Sequence, residues 1–354
     1  IKTSILIPPF SERHYKALKS SLFTSLVETL GYDDGLPNAS VFNVLGNQLG
    51  LSPDELMTAY KELFGDNGDV DNSSDINEET FRLAEYQAFI GDDSQLKDDL
   101  RICHKEKTDL DSRLEPFIGS LVAVEKLVET RCLTGFRRID PNEGKLAKLS
   151  ATHSAWLPAI RGTGEGIFIE LDNAMLSKWS SRDDVQRRIS QMKKNMQRYE
   201  LAKPRSTENL TPQFVLLHTL AHSLSTRLSF EAGYGGSSIR ERLYSSDVLS
   251  MNGLMIYTSE AGSEGTLGGL VLAAEPDAFS SLFFGALEDT IHCSNDPLCE
   301  ESTGQGPGAI NLAACQGCTL IPETSCEEAN FFLDRVLLVG STENQDIGFF
   351  SDLM

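Results

Sequence analysis

The sequence lacks an apolar stretch long enough to cross a membrane, which takes about 18 residues with few or no charges, and it lacks a signal-peptide pattern. It begins with Ile1-Lys2-Thr3 rather than methionine, so we expect the chain to be a fragment of a longer protein. It also lacks the G-x-x-x-x-G-K-[ST] loop that cradles nucleotide phosphates. We therefore expect no membrane partner and no ATPase activity that belongs to this chain.

A basic excess is missing as well. The 31 lysines and arginines are outnumbered by 52 aspartates and glutamates, and the formal net charge is −21. This charge excludes a nucleic-acid-binding surface that covers the whole molecule, but not a local one. Two stretches, 131–148 and 182–205, are locally basic, and in them we predict six residues that contact nucleic acid: Arg137, Arg138, Arg187, Arg188, Lys193 and Lys194. The alternative is a charged face that is simply hydrated, as most are.

Cysteine is scarce and unevenly placed. There are seven cysteines in 354 residues, and five of them lie between Cys293 and Cys326. An odd, clustered set argues against the disulfide framework of a secreted protein and indicates a reducing, cytoplasmic compartment. The five follow the pattern C-x5-C-x15-C-x2-C-x7-C. A two-residue gap, as between Cys315 and Cys318, lets a tight turn point two thiolates at one metal ion.

This pattern predicts a structural zinc site. Zinc in such sites takes four ligands in a tetrahedron, and four thiolates leave no position for a water molecule. The predicted ligands are Cys293, Cys299, Cys315 and Cys318, with Cys326 as an alternative ligand. Reactive or disulfide-bonded cysteines are the competing interpretation.

A pair of histidines is the second candidate for metal chemistry. An apolar helix is predicted over residues 211–230, and it places His218 and His222 one turn apart on the same face. The spacing is that of the H-E-x-x-H zinc hydrolases, but no acid lies between the two histidines. One interpretation is a metal-dependent hydrolase that borrows Glu231 or Glu241. The other is a buried pair held by hydrogen bonds.

The overall pattern predicts an α+β fold: a mostly helical N-terminal part, then a mixed α/β domain with a cysteine-rich zinc subdomain. The predicted regions, in chain order, are an acidic helical region 1–130, a hairpin and basic helix 131–210, the mixed domain 211–340 with its zinc subdomain 285–340, and an acidic tail 341–354 that frays. Four elements within them are a helix over Leu121–Cys132, a hairpin that turns at residues 162–166, a basic helix over Asp183–Tyr199 and a helix over Glu327–Val339.

Several short motifs follow one another between residues 131 and 340. They are Thr134-Gly135-Phe136-Arg137-Arg138, Gly164-Glu165-Gly166-Ile167-Phe168, His218-x3-His222, Gly233-Tyr234, Ser237-Ser238-Ile239-x-Glu241-Arg242, Ile256-Tyr257-Thr258, Gly265-Thr266-Leu267-Gly268-Gly269-Leu270, the cysteine cluster and Pro322-Glu323-Thr324-Ser325-Cys326-x3-Asn330-x2-Leu333-Asp334-Arg335. In this order they resemble the MrfA-associated zinc-binding (MZB) family. The acidic helical region 1–130 resembles it weakly.

The resemblance implies an MZB-type domain that binds structural Zn²⁺ on or beside a superfamily 2 DNA helicase. The sequence is similar in particular to the companion subunit of the helicase-like DrmA in the bacterial DISARM anti-phage system. It therefore implies a non-catalytic subunit that associates with a DrmA-like helicase and supports its DNA binding or translocation. The expected partners are that helicase and DNA, reached through the complex or directly. The metal-dependent hydrolase with His218 and His222 remains the alternative function.

Overall fold

The computed structural model of the chain describes residues 2–5, 12–33, 36–64, 78–91, 99–133, 135, 149, 157–198, 210–259 and 268–354. Two units can be separated: the larger draws on residues 1–6, 85–96 and 100–354, and the smaller on residues 7–84 and 97–99. None of the helices in the described ranges has both the length and the apolar character needed to cross a membrane.

The chain starts with strand β1 (Lys2–Ile5) of the larger unit and then forms the smaller unit. The elements of the smaller unit are α1 (Glu12–Leu18), α2 (Ser21–Leu30), β2 (Tyr32–Asp33), β3 (Leu36–Pro37), α3 (Ala39–Leu49) and α4 (Pro53–Phe64). Polar caps begin two of the helices: Ser20 Oγ accepts a hydrogen bond from the Phe23 amide, and Asn38 Oδ1 accepts one from the Ser40 amide. The helices bury an apolar cluster that includes Phe42.

The remaining elements follow in chain order: α5 (Glu78–Ile90), β4 (Arg101–Lys105), β5 (Ile118–Leu133), β6 (Ala159–Leu171), α6 (Asn173–Ser180), α7 (Asp183–Arg198), α8 (Pro212–Glu231), β7 (Ile239–Ser246), β8 (Met251–Thr258), α9 (Gly269–Ala273), α10 (Pro276–Ile291) and α11 (Val336–Val339). In α5, the residues from Glu85 onward belong to the larger unit. The α+β prediction is confirmed, as is a basic helix from Asp183.

A six-stranded antiparallel sheet organises the larger unit, with strand order β1-β5-β6-β8-β7 and β4 paired to β5. Neighbouring residues of β6 point to opposite faces. Ile167 and Ile169 join the core that contains the apolar residues of α8 and α10, whereas Phe168 stacks on Phe89 of α5 with ring centroids 5.0 Å apart. Both faces of the central strands are therefore buried.

The predicted helix over Leu121–Cys132 is wrong, because this segment is strand β5. Leu121, Val122, Ala123 and Val124 are all buried, so the strand does not show the alternation of a half-exposed sheet. A register shift between Val124 and Leu127 then changes which residues of the strand face each side of the sheet, so the later apolar residues do not continue the earlier alternation. The resulting spacing imitates that of a helix.

The predicted hairpin at residues 162–166 is also wrong, because the glycines lie inside one continuous strand, β6. Gly164 and Gly166 pair with Leu127 and Val124 of β5. A Cβ atom on Gly164 would lie 1.5 Å from the carbonyl oxygen of Thr258. These glycines therefore serve close backbone packing rather than a turn.

Two predictions near the C-terminal end are corrected. The helix expected over Glu327–Val339 shrinks to α11, because Ala329, Asn330 and Phe332 have φ of 51°, 60° and 65°, outside the right-handed helical region. The tail 341–354 does not fray. Phe350 is fully buried, and Phe349 has its ring centroid 5.5 Å from that of Trp179.

Candidate metal centre

The four predicted cysteines come together after helix α10. The Sγ atoms of Cys293 and Cys315 are 3.4 Å apart, those of Cys299 and Cys318 3.7 Å, and those of Cys315 and Cys318 3.8 Å. Thiolates at 2.3 Å from a tetrahedral zinc ion lie about 3.8 Å from one another. The four side chains therefore have the spacing of a closed tetrahedral ligand set.

An aspartate shapes the turn that carries the first two cysteines. Asp296 Oδ2 accepts a hydrogen bond from the Cys293 amide at 2.7 Å, and Oδ1 accepts one from the Glu300 amide at 3.2 Å. The buried guanidinium of Arg335 pairs with the same carboxylate. Arg335 also donates to the carbonyls of Thr290 and Ile291, at 3.0 and 2.8 Å, at the end of α10. One buried cation thus fixes both the helix end and the turn.

The second pair of cysteines lies on a tight turn. The amides of Cys318 and Thr319 donate to the Cys315 carbonyl at 3.1 and 3.0 Å. The Gly317 amide donates to Cys315 Sγ at 3.4 Å, and the Thr319 hydroxyl donates to Cys318 Sγ at 3.1 Å. Hydrogen bonds of this kind stabilise sulfur in its thiolate form.

The thiols differ in acidity. The hydrogen bond between Cys299 and Cys318, followed by burial, raises the pKa of the Cys299 thiol, and the same hydrogen bond lowers the pKa of Cys318. Burial raises the pKa of Cys293. A dication in the middle of the group would favour the thiolate form of all four cysteines. The donor set fits a structural metal ion, and zinc remains the predicted ion.

Cys326 lies in a second group, with His218 and His222 of α8 and Glu241 of β7. The sequence predicted Cys326 as an alternative ligand of the four-cysteine site, but the structure places it in this second group, and no local motif indicated its proximity to the two histidines. Burial and then the Glu241 carboxylate raise the pKa of the Cys326 thiol. Burial tends to raise the pKa of Glu241, but the nearby His218 and His222 outweigh it and hold that pKa below its usual range.

The predicted nucleic-acid contacts occupy different environments. Arg187 and Lys194 are exposed on α7, and Lys193 is partly buried. Arg188 instead makes two hydrogen bonds, of 2.5 and 2.8 Å, to the fully buried carboxylate of Asp334. Arg137 and Arg138 lie outside the described residues.

Sequence reasoning also missed the part played by Arg335. Its side chain is fully buried although arginine is a residue of exposed surfaces. The neighbouring Asp334 is buried too, and it accepts a hydrogen bond from the Ala313 amide at 3.3 Å besides those from Arg188. The sequence signal for these residues was the Leu333-Asp334-Arg335 motif. It indicated a resemblance to a family but did not indicate which residues Asp334 and Arg335 contact.

No family model matches the chain, so membership of the MZB family remains a prediction. A curated relative from Bacillus paralicheniformis, DISARM protein DrmB, is 34% identical to it over 298 residues. The match covers 80% of this chain and 52% of the relative, so the chain spans about half the length of the curated relative that it matches. At this identity and coverage, the chain is a homologue of DISARM protein DrmB.

Proposed function

We propose that the chain is a non-catalytic, zinc-stabilised part of a DrmB-like component of a bacterial DISARM anti-phage system. It works beside a DrmA-like superfamily 2 DNA helicase and supports the binding or translocation of DNA by that helicase. The observation that carries the proposal is the homology to DISARM protein DrmB across 298 residues, together with the four-cysteine group.

The chemistry of the four-cysteine group supports a structural rather than a catalytic metal ion. A catalytic zinc keeps an open position for water or substrate, whereas four thiolates complete the tetrahedron. The free energy of zinc binding would then stabilise the irregular segment from Cys293 to Cys318, which contains one short 3₁₀ helix and little other regular structure.

Metal-dependent hydrolysis at His218 and His222 is the alternative. It gains from the position of Glu241, whose Oε1 lies 3.1 Å from His218 Nε2. It is less well supported because the side chains of both histidines and of Glu241 have no exposed surface, and Cys326 Sγ, 3.2 Å from His218 Nε2, would be a fourth protein ligand. The loss of a measured hydrolytic activity in a folded His218→Ala variant would favour this alternative.

The test is capture of a DrmA-like superfamily 2 helicase from the source organism by the tagged full chain. The double variant Cys315→Ser/Cys318→Ser should lose one equivalent of zinc and most of the helicase, because its four-thiolate group is broken. The control Cys132→Ser changes a cysteine of β5 that lies outside both groups, and it should keep both zinc and helicase. Unchanged zinc content in the double variant, or no helicase capture by the unaltered chain, would contradict the proposal.

A further inference from the structure

We infer that His218, His222, Glu241 and Cys326 form a second metal centre. The bound ion would be zinc or another borderline divalent transition ion. The centre is separate from the four-cysteine group and has a different donor set: two imidazole nitrogens, one carboxylate and one thiolate. It joins helix α8, strand β7 and the segment that follows Cys318.

The distances between the donor atoms support a single ion among them. Cys326 Sγ lies 3.2 Å from His218 Nε2 and 3.3 Å from His222 Nε2. The Glu241 carboxylate oxygens lie 3.1 Å from His218 Nε2 and 3.4 Å from His222 Nε2. Nitrogen, oxygen and sulfur ligands of a tetrahedral zinc ion are separated by about 3.3 to 3.6 Å.

The orientation of the His222 ring supports its role as a metal ligand. Its Nδ1 lies 2.8 Å from the Thr319 carbonyl, which can only accept, so Nδ1 carries the proton of this hydrogen bond. In the neutral ring, Nε2 then presents its lone pair to Glu241 and Cys326. Metal-bound histidines commonly have this arrangement, with the second ring nitrogen donating to a carbonyl or carboxylate.

The group is poorly satisfied by protein hydrogen bonds. Within the described part of the chain, Glu241 Oε2 is buried without a hydrogen-bond partner. The Glu241 side chain has no exposed surface. A carboxylate and several lone pairs that converge in a dry interior are costly unless a cation lies among them. Two backbone amides orient the candidate ligands. The Glu327 amide donates to Glu241 Oε1 at 3.1 Å, and the Asn330 amide donates to Cys326 Sγ at 3.2 Å.

The completeness of the ligand set assigns the ion a structural role. Four protein donors leave no coordination position for water, and their burial keeps substrate away. The ion would link α8 and β7 to Cys326, which is distant from both elements in sequence, so its binding free energy would stabilise the packing of the Cys326 segment on α8 and β7.

The first experiment counts metal in the purified full chain. We expect two equivalents of zinc per chain in the unaltered protein. The variants Cys326→Ser and Glu241→Gln should each fall to one equivalent, and Cys132→Ser should keep two. One equivalent in the unaltered chain, with the four-cysteine group intact, would overturn the inference. So would two equivalents in Cys326→Ser.

A second measurement covers the case in which the variants fail to fold. X-ray absorption at the zinc edge of the unaltered chain should show a shell that mixes sulfur with nitrogen or oxygen, because one centre has four sulfurs and the other has one. A shell of sulfur alone would overturn the inference. Reconstitution with Co²⁺ gives a parallel readout, in which the mixed centre adds a weaker sulfur-to-cobalt absorption than the four-thiolate centre.

Discussion

His222 Nδ1 donates a hydrogen bond to the carbonyl of Thr319, 2.8 Å away, and Thr319 is the residue that follows the candidate ligand Cys318. The Thr319 hydroxyl in turn donates to Cys318 Sγ at 3.1 Å. A single buried residue therefore contacts both groups of candidate metal ligands.

The first prediction concerns this residue. Thr319→Val removes the hydroxyl that supports Cys318 but keeps the carbonyl that orients His222. Loss of such an outer-shell hydrogen bond weakens metal binding by about 10-fold to 100-fold. Competition with a colorimetric chelator should show this loss for one zinc equivalent, and the second should be retained. Thr163→Val, on strand β6, is the matched control and should leave both unchanged; equal losses in the two variants would rule out this role.

The second prediction concerns Arg335, the buried arginine that pairs with Asp296 in the turn that carries Cys293 and Cys299. Arg335→Gln leaves the carbonyls of Thr290 and Ile291 and the carboxylate of Asp296 without their cation. Removing one member of a buried ion pair costs about 3–5 kcal/mol in the free energy of unfolding. Urea denaturation should show this decrease together with faster release of zinc. The exposed Arg187→Gln should have little effect on either, and an equally stable Arg335→Gln would mean that the turn does not depend on this residue.

The third prediction separates two neighbouring arginines of α7. Arg188 is held by the buried Asp334, so Arg188→Gln should destabilise the fold and leave an uncompensated carboxylate in the interior. Arg187→Gln should leave stability unchanged because Arg187 is exposed. Thermal unfolding of the two variants checks this difference. Identical melting temperatures would show that the pair with Asp334 contributes nothing.

The fourth prediction addresses direct binding of DNA. If α7 touches phosphates directly, the double variant Arg187→Gln/Lys194→Gln should bind duplex DNA more weakly. The slope of log K against log salt should become shallower by about 0.9 for each phosphate that is no longer neutralised. Fluorescence anisotropy with a labelled duplex at several salt concentrations measures it. An unchanged slope would mean that Arg187 and Lys194 do not contact phosphate. Lys178→Gln on α6 is the control for the removal of a positive charge elsewhere.

The fifth prediction tests the close packing of the sheet. Gly164→Ala places a Cβ atom 1.5 Å from the Thr258 carbonyl oxygen, so β6 and β8 must separate. We expect a loss of at least about 3 kcal/mol in the free energy of unfolding, at the upper end of what overpacking costs. Gly235→Ala meets Ser238 Oγ at an ordinary 3.5 Å and should be tolerated. Comparable stability of the two variants would show that the strands can move apart at little cost.

Local chemistry accounts for what the sequence made predictable. The two-residue spacing of Cys315 and Cys318 is a property of one turn, and the apolar helix that begins after Thr211 has its cap and its proline in adjacent positions. Both features were recognised because the residues that produce them are neighbours.

Long-range contacts account for the errors. Cys326 resembles a spare thiol until the fold brings it to His218 and Glu241, which lie on other elements. Gly164 resembles a turn residue until β8 is placed beside it, and β5 resembles a helix until both of its faces are covered. In each case the deciding partner is far away in the sequence.

The burial of Phe349 and Phe350 sets a limit on how this protein can be shortened. Phe350 has its ring centroid 5.1 Å from that of Phe283 on α10, and Trp179 on α6 donates its indole N–H to the Ile347 carbonyl at 2.8 Å. An expression boundary drawn at residue 340, where the composition turns acidic, would uncover these aromatic side chains and invite aggregation. The segment 341–354 is thus an integral layer of the core.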